Sequence, residues 1–511
     1  MSRHRKKRGF RVFSLILLVL LVCVALGLAY FRPRPDAGAA LRDALGQLPM
    51  PEAPSLSGLD SEVAAAAARC FSLRADGPVT QSYTRADGTV TITALDEARL
   101  TEGLAEEMQA MLTEKAASAK RRTELYADGD SLLPELGMSF YTAVMEKRLA
   151  HAEDYCRQET LPVTLLWTRG SWVLQDTEAL SSRLNIGFPS LPGYEQAAAA
   201  LEPVEPHYAL PLSGPGPVPD MSCYGMTTNP QDIVDLLSSS TAQRLIGGQK
   251  LDFDPNRDML GRAIYYYLDE TILAIVWQQD EHGAIGTFAE VFIADASQLR
   301  RKLADDSFGS YQLYYASEMA AEANGVVTGS GDYYMNGRGD FGLVVYEGQL
   351  LRAGLHTGQS CLFDRSGDML FVYEDAFSST EEAQRFIDEN GVSFSFSWGP
   401  VLIDHGEDVT PYDYPIGEVR DTYARCAIGQ LGTRHYLLMT INCEQPDHYY
   451  LVTLRQAADS MIAHGCYNAY TLDGGQTASI LIGGQLINPV QFGYERLVSD
   501  IFYFATALQP E

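Results

Sequence analysis

Apolar positions near the start of the chain form one long uncharged run. It covers the twenty residues 12–31 and follows six basic residues among the first eleven. A helix of that length covers roughly 30 Å at about 1.5 Å of rise per residue, which is the thickness of a bilayer core. Only Arg32 and Arg34 follow closely, so most of the positive charge precedes the run and favours a cytoplasmic N-terminus. Residues 1–35 are therefore predicted to be a basic tail and a single transmembrane anchor.

This prediction places the protein in the cell membrane, with one span and the bulk of the chain extracellular. A cleaved signal peptide is the alternative, because it also begins basic and then turns apolar. Its apolar region usually has about 7–15 residues and ends at a small-x-small site. The longer run, and the Arg-Pro-Arg-Pro sequence at 32–35, favour the anchor.

Between residues 54 and 190 the apolar pattern has a helical period first and an alternating period afterwards. Residues 95–125 and 138–156 are predicted helices. Residues 161–176 predict two short strands joined at Arg169-Gly170, with a tryptophan on each arm. Helices followed by such a hairpin are similar in architecture to small NTF2-like domains. We therefore predict an accessory α+β domain at 54–190.

The pattern after residue 190 predicts a linker and then a β-rich domain. Residues 191–222 are rich in proline, which fixes φ and lacks an amide donor, so they are expected to be extended. Residues 223–511 contain apolar strand-like runs such as TILAIVW and HYLLMTIN. One helix is predicted from the T-x-x-Q capping box at 453–456, with Gly465 at its C-terminal end. The predicted fold class is therefore α+β: a transmembrane helix, a small α+β domain and a β-rich α+β domain.

Charge excludes one class of partner. The chain has 38 basic and 66 acidic residues, and the first 35 residues hold eight of the basic and none of the acidic ones. The remainder thus has 30 basic residues, and its net charge is −36. Bulk attraction to nucleic acid is excluded at this charge, so any phosphate must be bound by a few local donors.

The cysteines predict neither a zinc site nor a dense disulfide framework. Cys23 lies in the apolar run, and the other seven are scattered without C-x-x-C spacing. We interpret these seven as small buried hydrophobic residues, at least one of them a free thiol. No motif requires a cofactor, since H-E-x-x-H, P-loop and strand-linked G-x-G-x-x-G patterns do not occur. Clustered carboxylates leave a bound Ca²⁺ ion compatible with the sequence.

Candidate chemistry begins with the sequence Asp473-Gly474-Gly475-Gln476-Thr477. It follows the strand-like run CYNAYTL and precedes a predicted hairpin at Gly483-Gly484. The two glycines let the backbone turn tightly and present a carboxylate and bare N–H groups to a polar ligand. Asp-Gly also marks ordinary hairpin turns, so both interpretations stay open for this motif alone.

The order of several segments is more specific. Residues 285–508 resemble the phosphodiester glycosidase family, which includes the enzyme that uncovers mannose 6-phosphate on lysosomal proteins. Bacterial members are often labelled exopolysaccharide-related. The segments that carry the resemblance are GDYY (331–334), GLVVYEG (342–348), WGPVL (398–402), RCAIGQ (425–430), NAYTLDGGQ (468–476) and RLVSD (496–500).

The resemblance implies hydrolysis of the bond between the anomeric carbon of a sugar and a phosphate. That reaction needs a carboxylate near the anomeric centre, and a guanidinium fork suits two phosphate oxygens. Carried over by position, the site residues are Asp473 and Asp332 as catalytic carboxylates, Arg425 as phosphate clamp, Gly474, Gly475 and Thr477 as oxyanion donors, and Tyr333 and His405 as further substrate contacts.

Each assignment has a structural alternative. Asp332 could cap a turn, and Tyr333 or its neighbour could belong to the core. Arg425 could form an ion pair with Asp421 or Glu418. In each alternative the residue stabilises the fold and takes no part in the reaction.

The sequence also departs from the family pattern. Ser330 and His405 stand where the family usually has asparagine, and Asn442-Cys443 stands where many members have Asp-Gly. Two functions are therefore predicted. The first is a membrane-anchored extracytoplasmic hydrolase of sugar-1-phosphodiester bonds in cell-envelope or exopolysaccharide glycans. The alternative is a non-catalytic cell-surface module that binds a glycan or a protein.

Overall fold

The computed structural model describes residues 4–30, 33–49, 70–127, 129–175, 177–184, 193–332, 341–415, 420–443 and 451–509. The chain divides into two units. The first unit consists of Met1–Lys115 and Leu132–Val204, and the second consists of Ala116–Ser131 and Glu205–Glu511. The division falls inside the proline-rich stretch 191–222 and assigns residues 116–131 to the second unit. The domain limits 54–190 and 223–511 stay predictions.

The first unit contains a four-stranded antiparallel sheet. Its strands, in spatial order, are β1 (Ser72–Gln81), β2 (Arg85–Leu95), β3 (Cys156–Thr168) and β4 (Ser171–Leu174). The predicted hairpin is confirmed, with Arg169 in the left-handed region at φ 55° and Trp167 opposite Trp172. The helices of this part of the chain are Ala37–Gly46, Glu97–Thr101, Leu104–Ser118, Pro134–Leu149, Thr177–Leu184 and Tyr194–Ala199.

A disulfide joins Cys70 to Cys156 at one end of this sheet. The two cysteines are 86 positions apart in the sequence. Antiparallel pairing of β1 and β3 with β2 places their first residues at the same sheet end. The prediction that all seven cysteines are small hydrophobic residues is therefore wrong for this pair, because strand pairing and not spacing decides which cysteines meet. The buried free cysteines Cys361, Cys426 and Cys466 agree with it.

The second unit is built mainly from strands. Their bounds are β5 (Tyr224–Thr227), β6 (Ile264–Leu268), β7 (Ile272–Glu281), β8 (Ala284–Ile293), β9 (Leu299–Leu303), β10 (Tyr314–Tyr315), β11 (Val327–Ser330), β12 (Leu343–Tyr346), β13 (Gln349–Ala353), β14 (Ser360–Phe363), β15 (Met369–Val372), β16 (Phe394–Phe396), β17 (Val401–Asp404), β18 (Glu407–Asp408), β19 (Arg425–Gly432), β20 (His435–Asn442), β21 (Asn468–Leu472), β22 (Ile480–Ile482), β23 (Gln485–Leu486), β24 (Leu497–Val498) and β25 (Asp500–Phe504). Its helices of seven residues or more are Pro230–Leu237, Ser240–Ile246, Ala316–Ala323, Thr380–Asn390 and Leu454–Ala463.

Nine of these strands form one sheet in the order β18-β17-β21-β19-β20-β8-β7-β6-β5. Its central strands are apolar along their length because both faces are covered; every residue of β20 is buried. The helices Pro230–Leu237, Ser240–Ile246 and Leu454–Ala463 pack on one face. The opposite face packs on a five-stranded sheet of order β23-β22-β11-β25-β9. Two stacked sheets with helices on the outer face are the frame that positions the site.

The local signals in this unit are confirmed. Thr453 and Gln456 exchange the two hydrogen bonds of a capping box at the start of Leu454–Ala463. Gly465 follows that helix at φ 84°. β22 and β23 form a hairpin across Gly483-Gly484.

The proline-rich stretch 191–222 is only partly as predicted: it contains the helix Tyr194–Ala199, and its later part packs within the second unit. Residues 201–219, all described, contain neither helix nor strand. The Arg300 guanidinium donates to the carbonyl oxygens of Pro211, Leu212 and Gly214 at 2.6, 3.2 and 2.8 Å. The stretch from 205 on therefore contributes to this unit and is more than a spacer.

The predicted transmembrane anchor is wrong. A helix runs over His4–Tyr30, with side chains described for residues 14–27. Among the residues that the structure describes, no helix is long and apolar enough to cross a membrane. For the described residues, the fold class is corrected to mixed α/β.

Candidate functional site

Asp473 follows β21 at the sheet end where β19 begins. The two strands are antiparallel, with Cys426 opposite Leu472, so Arg425 and Asp473 lie at the same end. The Gly475 N–H donates to the carbonyl oxygen of Ala424 at 2.8 Å. A Cβ on Gly474 would lie 2.5 Å from that oxygen, and Gly475 has φ 65°. Gly474 is therefore required by the close approach of this turn to β19, and Gly475 by its left-handed backbone conformation.

The Asp473 carboxylate is half-buried and has a raised pKa. Burial is the largest cause and raises the pKa of Asp473 to about 6, and the negative charge of Asp332 adds to the rise. The Thr477 hydroxyl and the exposed Arg496 oppose the rise without cancelling it. A carboxyl group that titrates near neutrality can change its protonation state during a reaction.

Asp332 lies at the end of β11 in a fully buried cluster with Arg301 and Asp500. Arg301 donates to Asp332 Oδ1 at 2.5 Å, and to Asp500 Oδ2 at 2.7 and 2.8 Å. The other oxygen of Asp332 accepts from the Ser397 N–H and hydroxyl at 2.5 and 3.3 Å. Both Asp332 oxygens are thus engaged by protein groups.

Two carboxylates share one guanidinium in this cluster. Burial, the largest cause, raises the pKa of Asp500, and the charge of Asp332 raises it further against the attraction of Arg301. The Arg301 guanidinium also donates to the Ser395 carbonyl oxygen, which ties β9 to β16. The cluster therefore joins β9, β11 and β25 to the segment after β16.

The Asp473 turn and the Asp332 cluster meet where the two sheets end together. The Asp473 N–H donates to the carbonyl oxygen of Gly331 at 3.2 Å. Ser330 and Ser479 exchange hydrogen bonds of 3.2 and 3.3 Å next to this point. The structure therefore brings Asp332 and Asp473 together, as required if both serve one site.

The Arg425 guanidinium, in contrast, forms hydrogen bonds with backbone carbonyl oxygens. It donates to the carbonyl oxygens of Val452 at 3.2 Å and Asp421 at 2.6 Å, and it lies over the Tyr423 ring at 5.6 Å. Arg425 lies at the Asp473 end of the sheet, and the contact to Asp421 is to its backbone and not to its carboxylate. Glu418, the other predicted partner, lies outside the described residues. Its role as a phosphate clamp stays a prediction.

Thr477 is buried within the Asp473 turn, and its hydroxyl donates to the Gly474 carbonyl oxygen at 2.6 Å. Gly474, Gly475 and Thr477 therefore shape the turn, and their donor role stays a prediction. Tyr333 lies outside the described residues.

His405 lies at the other end of the sheet. Its N–H donates to the Asn468 side-chain oxygen at 3.0 Å, at the start of β21. The five residues of β21 separate it from Asp473 by roughly 16 Å at about 3.3 Å per residue. His405 lines another cavity, of about 550 Å³, with Asp404 and Tyr467. The structure does not bring His405 to the Asp473 site, so its role as a substrate contact is not supported by proximity.

Three residues of the site were missed by the sequence analysis. Arg496 and Asp500 belong to the RLVSD segment, which is the signal that could have identified them. Arg301 had no such signal, because three polar residues in LRRKL are typical of a solvated strand. Its burial results from packing against Asp332 and Asp500, far away in the sequence.

The asparagine that departs from the family pattern is accommodated by a neutral partner. Asn442 is buried, and its side-chain oxygen accepts from Asn488 at 3.3 Å. Asn488 also binds the Ile480 N–H at 2.6 Å and the Ala478 carbonyl oxygen at 2.9 Å. Asn442 therefore belongs to an amide network under the Asp473 end of the sheets.

Within the described ranges, no group of three or more His, Cys, Asp or Glu side chains could hold a metal ion. The described residues therefore give no support for Ca²⁺ at this site.

The model of the phosphodiester glycosidase family matches residues 321–505. This segment, called the glycosidase domain below, is therefore similar to the phosphodiester glycosidase family. The predicted resemblance is thus confirmed, over a shorter range than 285–508. The glycosidase domain contains Asp332, Asp473, Arg496 and Asp500, whereas Arg301 precedes it. The cluster thus joins residues inside and outside the matched segment.

The curated relative that matches this chain is distant in sequence. The SPbeta prophage-derived uncharacterized protein YomE of Bacillus subtilis (strain 168) is 23% identical over 197 residues, 38% of this chain. The chain spans 30% of the length of that protein.

Solved structures show the same distance. The zebrafish N-acetylglucosamine-1-phosphodiester alpha-N-acetylglucosaminidase catalytic domain is 16% identical, with a TM-score of 0.39 over 46% of this chain and 84% of that one. A hypothetical protein from Synechocystis is 14% identical, with a TM-score of 0.32 over 46% and 62%. The assignment of the glycosidase domain rests on the family match.

Proposed function

We propose that the glycosidase domain hydrolyses the bond between a sugar's anomeric carbon and a phosphodiester. The observation that carries this proposal is Asp473, a half-buried carboxylate with a raised pKa at the point where two sheet ends meet. Glycosidic cleavage requires a carboxylate near the anomeric carbon. The family match over 321–505 supports the reaction class.

In this proposal Asp473 acts in its ionised form, as nucleophile or general base. The pKa of about 6 leaves most of the group ionised at pH 7 and keeps it basic enough to accept a proton. A phosphodiester is a good leaving group, so cleavage makes little demand on a general acid. Arg496, exposed and close enough to act electrostatically on Asp473, supplies positive charge for the phosphate.

Asp332 is proposed to be a positioning residue. Its side chain is fully buried and bound on both oxygens by Arg301 and Ser397. Gly331, next to it, accepts the Asp473 N–H. Asp332 therefore fixes the backbone that orients Asp473, and it raises the pKa of that carboxyl group through its charge.

The proposed substrates are glycans of the cell envelope or exopolysaccharides that contain sugar-1-phosphodiester bonds. The net charge of −36 after residue 35 disfavours bulk attraction to such anionic chains. Affinity must then come from local groups such as Arg496 and backbone N–H groups.

An extracytoplasmic location for the chain is part of the proposal. It is supported by the Cys70–Cys156 disulfide, since disulfides persist mainly in oxidising compartments.

A non-catalytic binding module is the second candidate. It is favoured by Ser330, His405 and Asn442, which replace the polar residues that are usual in the family. Under this hypothesis the protein binds the glycan or a protein without turnover.

The test is hydrolysis of a nitrophenyl-phosphate diester of N-acetylglucosamine 1-phosphate in ¹⁸O-labelled water. The proposal predicts label in the released sugar, because the bond broken lies between C1 and oxygen. Label in the phosphate would show phosphodiesterase chemistry and contradict the proposal. Glycan binding with no product would support the second candidate.

A further inference from the structure

An exposed aromatic surface adjoins the Asp473 turn. We define it by Tyr315, Phe492, Tyr494 and Leu497, whose exposed fractions are 42%, 48%, 62% and 41%. Tyr315 pairs with Leu497 across β10 and β24. The rings of Phe492 and Tyr494 lie 6.5 Å apart at 31°. Large side chains at these exposures contribute little to the core, so burial does not explain them.

This surface is continuous with the proposed active site. The Gln476 side-chain amide, in the Asp473 turn, donates to the Tyr494 carbonyl oxygen at 3.1 Å. Arg496, between Tyr494 and Leu497, acts electrostatically on Asp473. A direct hydrogen bond therefore joins the aromatic surface to the Asp473 turn.

One of these exposed rings belongs to a residue with a strained backbone conformation. Phe492 has φ 63°, in the left-handed region, which is strained for a side chain of this size. Glycine would adopt the same conformation without strain. A strained phenylalanine with half of its side chain in solvent is consistent with a role in binding.

The chemistry of the surface favours sugars as its occupant. Tyrosine and phenylalanine rings offer flat apolar faces at low cost in conformational entropy, and tyrosine adds a hydroxyl tip. Glu495 and Arg496 interrupt the rings with charge, unlike the core of a stable protein interface. A glycan chain presents the apolar faces of its rings and, in this substrate class, phosphodiesters that Arg496 can bind.

We propose that this aromatic surface binds the sugar units that flank the scissile bond in a polymeric substrate. The inference rests on the proposed function and extends it: the substrate is a glycan chain, and a single sugar diester occupies only part of the site. The Asp473 turn holds the reacting unit, and the aromatic surface holds the following units.

The test compares the wild type with the Phe492→Ala/Tyr494→Ala double variant. The substrates are a poly(N-acetylglucosamine 1-phosphate) and the small nitrophenyl diester. The proposal predicts that the ratio of kcat/KM on the polymer to kcat/KM on the small diester falls roughly tenfold. Tyr467→Ala is the matched control, because Tyr467 is 49% exposed at the opposite end of β21. An unchanged ratio in the double variant overturns the proposal.

A binding measurement separates this proposal from the proposed function. Electrophoresis through gels containing the same polymer should retard the wild type and Tyr467→Ala more than the double variant, with or without turnover. Equal retardation of all three proteins contradicts glycan binding by the aromatic surface, even if hydrolysis occurs. If the double variant loses self-association but is retarded as strongly as the wild type, the surface is an interface between copies. That result would also overturn the proposal. Thermal unfolding of each variant verifies that it is folded.

Discussion

At the scale of single residues, the candidate site contains two carboxylates in different environments. Asp473 was predictable from the DGG motif after a strand. Its raised pKa was not, because burial between two sheets and the charges of Asp332 and Arg496 come from distant parts of the chain. The Arg301–Asp332–Asp500 cluster was missed in part for the same reason: nothing in LRRKL reveals that the third residue of the run is buried.

The pH dependence of kcat/KM tests the protonation state of Asp473. If the ionised form acts, kcat/KM on the small diester should fall as the pH drops through about 6, the pKa of this carboxyl group. The inflection should move to higher pH in Thr477→Val, because this substitution removes the hydroxyl that opposes the rise of the Asp473 pKa. Activity that rises below pH 6 would assign Asp473 as a general acid and contradict the proposed mechanism.

Arg301 should be essential for stability. Arg301→Met leaves two buried carboxylates without their cation, and removal of one partner from such a pair costs about 3–5 kcal/mol. The measurement is the free energy of unfolding by urea. Arg455→Met is the control, since Arg455 pairs with Asp408 at the surface and its loss should cost under about 1 kcal/mol. Equal effects of the two substitutions would show that the buried cluster is not a major source of stability.

At the scale of elements, apolar runs and helix caps predicted individual strands and a helix. The sequence did not show which of these elements lie close together. The runs TILAIVW and HYLLMTIN became β7 and β20 at the centre of a sheet that is covered on both faces. His405 was placed in the site by sequence position. The direction of β21 puts it at the opposite end from Asp473, which only strand pairing reveals.

The end of the helix Leu454–Ala463 is fastened by a buried histidine. His464 Nδ1 lies 2.5 Å from Asp252, and its Nε2 lies 3.8 Å from Glu281 and 3.3 Å from the Gln279 amide. Burial alone would lower the pKa of His464, but Asp252 and Glu281 outweigh burial and the charge of Arg257, so the pKa is raised. A raised histidine pKa contributes stability below about pH 6.5 that is lost as the pH rises through the folded-state value.

Substitution of this histidine should therefore have a pH-dependent effect. His464→Gln is expected to lower the free energy of unfolding by about 1–3 kcal/mol at pH 6 and by less at pH 9. His356→Gln is the control, because His356 is exposed beside Asp375. Urea unfolding at several pH values measures both. A constant effect of His464→Gln from pH 6 to 9 would contradict the network's electrostatic role.

At the scale of the whole molecule, the apolar pattern was misleading about the N-terminus. The run at 12–31 satisfied a count of uncharged residues, whereas the described residues contain no helix that qualifies as a membrane span. The glycosidase domain was predicted from six short segments that occur in the order typical of the family and are spread over residues 331–500. Neither kind of pattern could pair Cys70 with Cys156, since that contact depends on sheet register.

The disulfide should stabilise the chain measurably. Cys70→Ser/Cys156→Ser is expected to cost about 2–4 kcal/mol, since the bond constrains a long loop in the unfolded chain. Calorimetry of the full chain measures the change, and Cys223→Ser, a half-buried free thiol, is the control. The same unfolding temperature for the double serine variant and the wild type would contradict a structural role for the disulfide.

The most direct test of the central claim is kcat/KM for hydrolysis of the small sugar-1-phosphate diester by wild type, Asp473→Asn and Asp404→Asn. Asp404 is the matched control, because it is a partly buried carboxylate at the opposite sheet end, bound by Tyr373 and His405. We expect a loss of about 100- to 10,000-fold for Asp473→Asn and of less than about twofold for Asp404→Asn. Wild-type activity that survives Asp473→Asn would contradict it.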